Sequence, residues 1–187
     1  MIWVLAAVVG YLIGSINPAS IIARVRGVDY RSVGSGNPGA TNIGRALGKR
    51  TGILVGALDI LKGFLPAIAF TLWTGDLGVG ELAGFAAVVG HITSPFLKGR
   101  GGKGVATSLG AILAINWIWL LPVLAAFGIV FAVSRRMGIA SLSASLMLIP
   151  ASIIWHTDRS QIVFATALAA LIVVRHQSNI RAALARS

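Results

Sequence analysis

VATSLGAILAINWIWLLPVLAAFGIVFAV, residues 105–133, is the stretch on which the fold turns. As a single helix it would run about 43 Å at ~1.5 Å per residue, well beyond the ~30 Å hydrocarbon core of a bilayer. Asn116 falls inside it, and a division there gives two spans, 105–115 and 117–133, of which the first is short. One long helix is the alternative. Working outward with a ruler of roughly 20 apolar residues, five more candidate spans emerge at 2–23, 51–73, 82–97, 137–155 and 161–174.

Charge decides between seven spans and six. With seven, Arg24, Arg26, Arg31, Arg45, Lys49, Arg50, Lys98, Arg100, Lys103, Arg135, Arg136, Arg175, Arg181 and Arg186 share one side, 14 of the 16 cations. Arg159 alone falls opposite and Lys62 lies within a span, whereas Asp76, Glu81 and Asp158 are expected on the other face. Merging the two central spans would scatter the cations, so the positive-inside rule selects an all-α, seven-span protein with its N-terminus outside and its C-terminus cytoplasmic.

Composition agrees. The chain is 56% hydrophobic with a mean hydropathy of +0.86, and its 11% of charged residues is far below the ~25% of soluble proteins. Its 187 residues are expected to form one membrane domain, 1–187. The apolar start, Met1-Ile2-Trp3-Val4-Leu5, lacks the basic region of a signal peptide and reads as a retained first span. The absence of cysteine excludes disulfides and thiol chemistry. A pI near 11.7 raises nucleic acid as a partner, but the cations are spread among short loops and no nucleic-acid motif accompanies them. They anchor topology and attract anionic lipid.

Two glycine-rich segments interrupt the hydrocarbon: Gly34-Ser35-Gly36-Asn37-Pro38-Gly39-Ala40-Thr41-Asn42 and Gly99-Arg100-Gly101-Gly102-Lys103-Gly104. Small residues let backbone N–H groups approach an anion, and Arg45 and Lys103 add charge, so both read as phosphate-binding loops, with ordinary turns as the bland alternative. The second is not a Walker A sequence, because Leu97 stands where that motif requires glycine. It does lead into Val105-Ala106-Thr107-Ser108, a helix start that can face a phosphate. Ser141-Leu142-Ser143 and Arg175-His176-Gln177-Ser178-Asn179 end on the same face. A site at the cytoplasmic surface is therefore expected, in preference to a transport site at mid-membrane. Asp59 and Lys62, three residues apart on a helix, are expected to form a structural polar pair within a span, with His91 seconding that polar interior.

Several chemistries lack their residues. No His/Asp or His/Glu metal cluster, no Gly-x-Ser-x-Gly elbow and no His-x-x-x-x-Asp base pair is present, so no metal or other cofactor is expected and catalysis must rest on positioning and charge stabilisation. A transporter would need polar residues at mid-membrane, where Asp59 and Lys62 stand alone. A lipid-binding scaffold would not explain two ordered glycine loops.

These residues together resemble the bacterial acyl-phosphate:glycerol-3-phosphate acyltransferases, the PlsY family. The resemblance runs through Gly27-Val28-Asp29-Tyr30-Arg31-Ser32-Val33 and the first glycine segment to Arg45 and Gly48, then Asp59-Ile60-Leu61-Lys62-Gly63. It continues through Gly90-His91 and Phe96-Leu97-Lys98 to Gly101-Gly102-Lys103-Gly104-Val105-Ala106-Thr107, and ends at Arg175-His176 with Asn179-Ile180. Gly99 stands where an aromatic is more usual, Ser94-Pro95 displaces a proline by one, and Ala144 replaces a common serine. The resemblance implies acyl transfer from fatty acyl phosphate to the 1-hydroxyl of sn-glycerol 3-phosphate, giving lysophosphatidic acid and phosphate in the bacterial inner membrane. It assigns Ser35, Gly36, Thr41, Gly101 and Gly102 to acyl phosphate, and Arg45, Lys103, Ser141, His176 and Asn179 to glycerol 3-phosphate. Lys103, Ser35 and Arg45 are the implied catalytic groups, and a soluble acyl-phosphate-producing enzyme is the implied source of the donor.

Overall fold

The computed structural model describes residues 1–155 and 158–184, and every regular element among them is helical. Arg186, counted above among the cytoplasmic cations, lies outside the described residues. Packing divides the chain at Asn116 into two units, Met1–Ile115 and Asn116–Ser187. Five helical stretches are long and apolar enough to cross a membrane: Ile2–Val25, Lys49–Thr74, Leu77–Leu97, Trp117–Ser134 and Met137–Ile154.

The first unit contains α1 (Ile2–Ser15), α2 (Pro18–Val25), α3 (Ala40–Leu47), α4 (Lys49–Thr74), α5 (Leu77–Thr93) and α6 (Val105–Ile115). In α4, buried Val55, Asp59, Lys62, Gly63, Pro66 and Phe70 follow one helical stripe, while Leu54, Leu58, Leu61, Leu65 and Leu72 are exposed. That is the pattern of a helix with one face against protein and the other against lipid. Backbones approach closely where side chains are absent: a Cβ on Gly10 or Gly14 of α1 would strike the carbonyl of Ala83 or Ala87 in α5, and one on Gly63 of α4 the carbonyl of Thr107 in α6. Small residues serve this purpose where burial of apolar surface gives no drive between helices in lipid.

The second unit contains α7 (Leu120–Ser134), α8 (Met137–Ile154), α9 (Arg159–Arg175) and α10 (Gln177–Leu184). The division at Asn116 is a helix break: α6 ends at Ile115, Asn116 is extended, and its side chain accepts from the Ile118 N–H at 3.3 Å. The single long helix is thereby excluded. At 11 and 17 residues, α6 and α9 are shorter than any of those five stretches, the shortest of which have 18 residues.

Two details depart from the sequence reading. The first interval, expected as one helix, breaks at Ile16-Asn17: Pro18 takes the first helical position of α2 and the Asn17 side chain caps it, accepting from the Ser20 N–H at 2.8 Å. The third helix begins at Leu77 because Asp76 caps it through the Gly78 N–H at 2.8 Å. Glu81, just outside the interval 82–97 read as the span, is therefore a buried residue within α5.

Candidate active site at two glycine-rich loops

The loop from 26 to 39 reverses the chain between α2 and α3, and side chains hold it. Asn42, in the first turn of α3, is 2% exposed. Its amide donates to the Tyr30 carbonyl at 2.8 Å, and its Oδ1 accepts from the Ser35 N–H at 3.0 Å. Asp29 caps the 3₁₀ turn Tyr30–Ser32 by accepting from the Arg31 N–H at 3.0 Å. Asn17, at the α1–α2 break, donates to the Pro38 carbonyl at 3.2 Å. Gly34 and Gly36 have φ of +54° and +64°, so the loop requires glycine conformationally. A side chain on Gly34 would also meet Asn42 Oδ1 and Arg45 Nη1, which places the Arg45 guanidinium against this loop. Ser35, Thr41 and Arg45 themselves are exposed.

The second loop folds back onto the end of α5. The Gly101 N–H donates to the Ile92 carbonyl at 3.0 Å and the Gly102 N–H to the His91 carbonyl at 3.1 Å. The Gly36 N–H in the first loop similarly donates to the Val33 carbonyl at 3.0 Å. These three N–H groups bond to backbone carbonyls, and in doing so shape the loops. Lys103, half-buried, follows directly and stands two residues before α6, whose first N–H groups lack intrahelical partners by construction. In that first turn the hydroxyls of Thr107 and Ser108 are buried and have no hydrogen-bond partner.

Beneath both loops lies the pair expected from the sequence. Lys62 Nζ is 3.0 Å from Asp59 Oδ1 and donates to the Ile16 carbonyl at 2.8 Å, an acceptor that the break before Asn17 leaves unused by the helix. Ser94 Oγ donates to the neighbouring Ser15 carbonyl at 2.7 Å. His91 Nδ1 lies 3.5 Å from the same Asp59 oxygen.

The second unit carries the remaining candidates. Ser141 is buried in the second turn of α8. Gly138, one turn earlier on the same face, abuts Asn179, whose amide a side chain at that position would strike. His176 is buried at the end of α9; its Nδ1 is 2.8 Å from the Ile172 carbonyl. A carbonyl only accepts, so Nδ1 carries the proton and Nε2 presents the lone pair when the ring is neutral. The Asn179 N–H returns to the His176 carbonyl at 2.9 Å, fixing the spacing of the two side chains. Within the first unit Ser35, Gly36, Thr41 and Arg45 share one loop and helix, and Gly101, Gly102 and Lys103 lie on the other loop; within the second, Asn179 packs on Gly138, one turn from Ser141 on α8.

Asn17, Asn42 and Ser94 hold this architecture, and the sequence reading gave them no role. Asn17-Pro18 is a recognisable helix start. Nothing in the sequence indicates which carbonyls Asn42 and Ser94 reach.

Comparison with known proteins gives one consistent answer. The family model described as glycerol-3-phosphate acyltransferase matches residues 4–186. A glycerol-3-phosphate acyltransferase of Endomicrobium trichonymphae is 40% identical over 100% of this chain and 94% of its own length. One from Aquifex aeolicus (strain VF5) is 42% identical, covering 91% of this chain and 89% of the relative. Among solved structures, the glycerol 3-phosphate form of PlsY (YgiH), an integral membrane glycerol 3-phosphate acyltransferase, superposes with a TM-score of 0.93 at 38% identity. That match covers 98% of this chain and 92% of the other. The lysophosphatidic acid form of PlsY gives 0.91 at 37% identity, over 98% and 92% of the two chains. Two glycine loops beside an arginine and a lysine, set on apolar helices, accord with that likeness: the chain belongs to the glycerol-3-phosphate acyltransferase family.

Proposed function

We propose that this membrane enzyme uses fatty acyl phosphate as its donor and acylates the 1-hydroxyl of sn-glycerol 3-phosphate, releasing lysophosphatidic acid and inorganic phosphate. The hydroxyl oxygen attacks the acyl carbonyl carbon, the bond from that carbon to the phosphate oxygen breaks, and phosphate leaves with the electron pair. Because phosphate is a good leaving group no covalent acyl-enzyme is needed, and a phosphate oxygen of the substrates takes the hydroxyl proton.

One observation carries the reading. Two loops of the first unit, each with its own cation, Arg45 beside Gly34 and Lys103 after Gly102, are joined through the same α1–α2 break. Two phosphorylated substrates call for two such places. Lys103, Ser35 and Arg45 are assigned to the reaction centre, with Lys103 stabilising charge at the reacting carbonyl. Ser35, Gly36, Thr41, Gly101 and Gly102 are assigned to acyl phosphate. Arg45, Lys103, Ser141, His176 and Asn179 are assigned to glycerol 3-phosphate. The whole of 1–187 acts as one membrane domain. It has seven spans, the N-terminus outside and the loops facing the cytoplasm of a bacterial inner membrane, as the distribution of cations supports. A soluble enzyme that makes acyl phosphate supplies the donor.

The test is donor choice. Purified protein receives acyl phosphate, acyl-CoA and acyl carrier protein thioester in turn, each with glycerol 3-phosphate, and lysophosphatidic acid and phosphate are measured. Turnover with acyl phosphate alone is expected. Comparable rates with a thioester would defeat the assignment of the donor.

A further inference from the structure

Asp59, Lys62 and His91 are 2%, 6% and 4% exposed, inside helices that face lipid. Ionisable groups in such a place are costly unless something is gained, and the reaction described above assigns them no contact with substrate. Their surroundings show what they hold. His91 grips the second loop twice: its carbonyl accepts from the Gly102 N–H at 3.1 Å, and its imidazole lies against the Gly102 Cα. A Cβ built on Gly102 would collide with Nε2, lie 2.7 Å from Cε1 and 3.0 Å from Cδ2. On its other edge, Nδ1 faces Asp59, Asp59 faces Lys62, and Lys62 reaches the Ile16 carbonyl next to Asn17, which holds the first loop at Pro38. Contacts thus run without interruption from one glycine loop to the other through the buried charges.

We infer that His91, backed by Asp59 and Lys62, is a positioning residue whose imidazole forms the floor of the second glycine loop and makes glycine obligatory at 102. This inference rests on the functional reading given above. The direction of the missing Cβ carries it: at position 102 a side chain would point into the imidazole, so the requirement for glycine comes from beneath the loop. The ring cannot step aside cheaply, because Asp59 faces its far edge and the ring is buried. Gly101 supplies the contrast. A Cβ there would strike the carbonyl oxygens of His91 and Ile92, which are backbone and stay in place whatever side chain stands at 91. Two adjacent glycines are therefore required for different reasons, and only one of those reasons is a side chain.

The experiment is a pair of double-mutant cycles on the full chain in detergent, measuring kcat and KM for donor and acceptor and the midpoint of thermal unfolding. Gly102→Ala is expected to lose ~10²-fold in kcat/KM for the acyl donor, the scale of a misplacement of about 1 Å. His91→Ala alone is expected to raise the donor KM by ~10-fold and to change the glycerol 3-phosphate KM by less than about 3-fold. In the double variant the methyl group enters the space the ring vacates, and at least about 10-fold of the activity lost in Gly102→Ala returns, with the unfolding midpoint moving back toward wild type. Gly101→Ala is expected to be equally damaging and to gain nothing from His91→Ala. Should His91→Ala fail to fold, His91→Asn keeps an amide near the Nδ1 position for Asp59, removes the ring and gives the same cycle. Additive losses at 102, or equal rescue at 101 and 102, would overturn the inference. Failure of the functional reading shows separately, as wild-type protein that turns over a thioester donor and not acyl phosphate. The cycles are then run on that donor and still decide the role of His91.

Discussion

The two glycine loops look alike in sequence and are built in opposite ways. The first is held by side chains: Asn42 ties Tyr30 to Ser35, Asn17 reaches Pro38 and Asp29 caps a turn. Its glycines at 34 and 36 are needed for conformation, having positive φ. The second is held by its own backbone on the end of α5; its outer glycines, Gly99 and Gly104, have positive φ as well, but Gly101 and Gly102 do not. At those two inner positions glycine is needed for space. A loop held by side chains can be loosened at one residue without moving a helix, whereas a loop moulded on a helix end moves only when what lies beneath it changes.

The largest effects should come from the cation each loop carries. Lys103→Ala removes a charge that gains strength as the carbonyl oxygen becomes negative, so kcat should fall ~10²-fold or more. Arg45→Lys should also be damaging, with the loss showing first in the KM for glycerol 3-phosphate, because an ammonium cannot reproduce the two-pronged contact of a guanidinium with phosphate. Steady-state kinetics on correctly inserted protein check both. If Arg136→Ala, on the exposed start of α8, were as harmful as either, the cations would act as a general field and the distinction between loops would collapse.

Asn42 sharpens the comparison at the next level. Asn42→Ala leaves the Ser35 N–H and the Tyr30 carbonyl without their partner. Orphaning the buried Tyr30 carbonyl costs about 1–3 kcal/mol, and the Ser35 N–H, on an exposed residue, less, because water reaches it. The first loop should loosen while the second, which Asn42 does not touch, keeps its shape. Hydrogen exchange read by mass spectrometry should therefore rise across 30–42 and stay unchanged across 99–104. A rise in both would mean that the loops move as one piece.

These contrasts set the limit of what the sequence discloses. The break at Asn116 was legible because a lone amide in a long apolar run has few other uses, and the Asp59–Lys62 pair because two opposite charges one turn apart in hydrocarbon have little choice but each other. The length of an apolar run reports that a helix is needed to cross the hydrocarbon, and a helix stands in all seven intervals. Run length was silent about the break at Ile16-Asn17, where the apolar run continues through a perfectly adequate helix start, and about Glu81, whose burial depends on where Asp76 begins the helix. The glycine loops were legible as loops. What their N–H groups bond was not, since that depends on which carbonyls a helix end presents after the chain has turned back. His91 was visible as a polar residue in a span, but its contact with Gly102 joins residues eleven apart across a turn and has no sequence signature.

The smallest effects separate conformational from spatial demand most cleanly, because they occur where nothing else is touched. Gly27 has φ of +65° and nothing within 4 Å of where its Cβ would stand. Gly27→Ala therefore meets only the cost of a side chain in the left-handed region, about 1–2 kcal/mol, partly offset by the lower entropy of the unfolded alanine chain. Arg135 is the reverse case: a non-glycine residue at φ of +54° that ends α7, its N–H donating to the Phe131 carbonyl at 2.9 Å. Glycine is the residue such a helix end prefers. Arg135→Gly should raise the thermal midpoint slightly, by a gain of less than about 1 kcal/mol after the entropy of glycine is deducted, and leave kcat/KM within about twofold of wild type. Gly27→Ala should lower the midpoint by a similar amount with activity equally unchanged. Loss of activity in Gly27→Ala without loss of stability would show that the turn before Asp29 transmits strain into the first loop, and that conformation and function are coupled there.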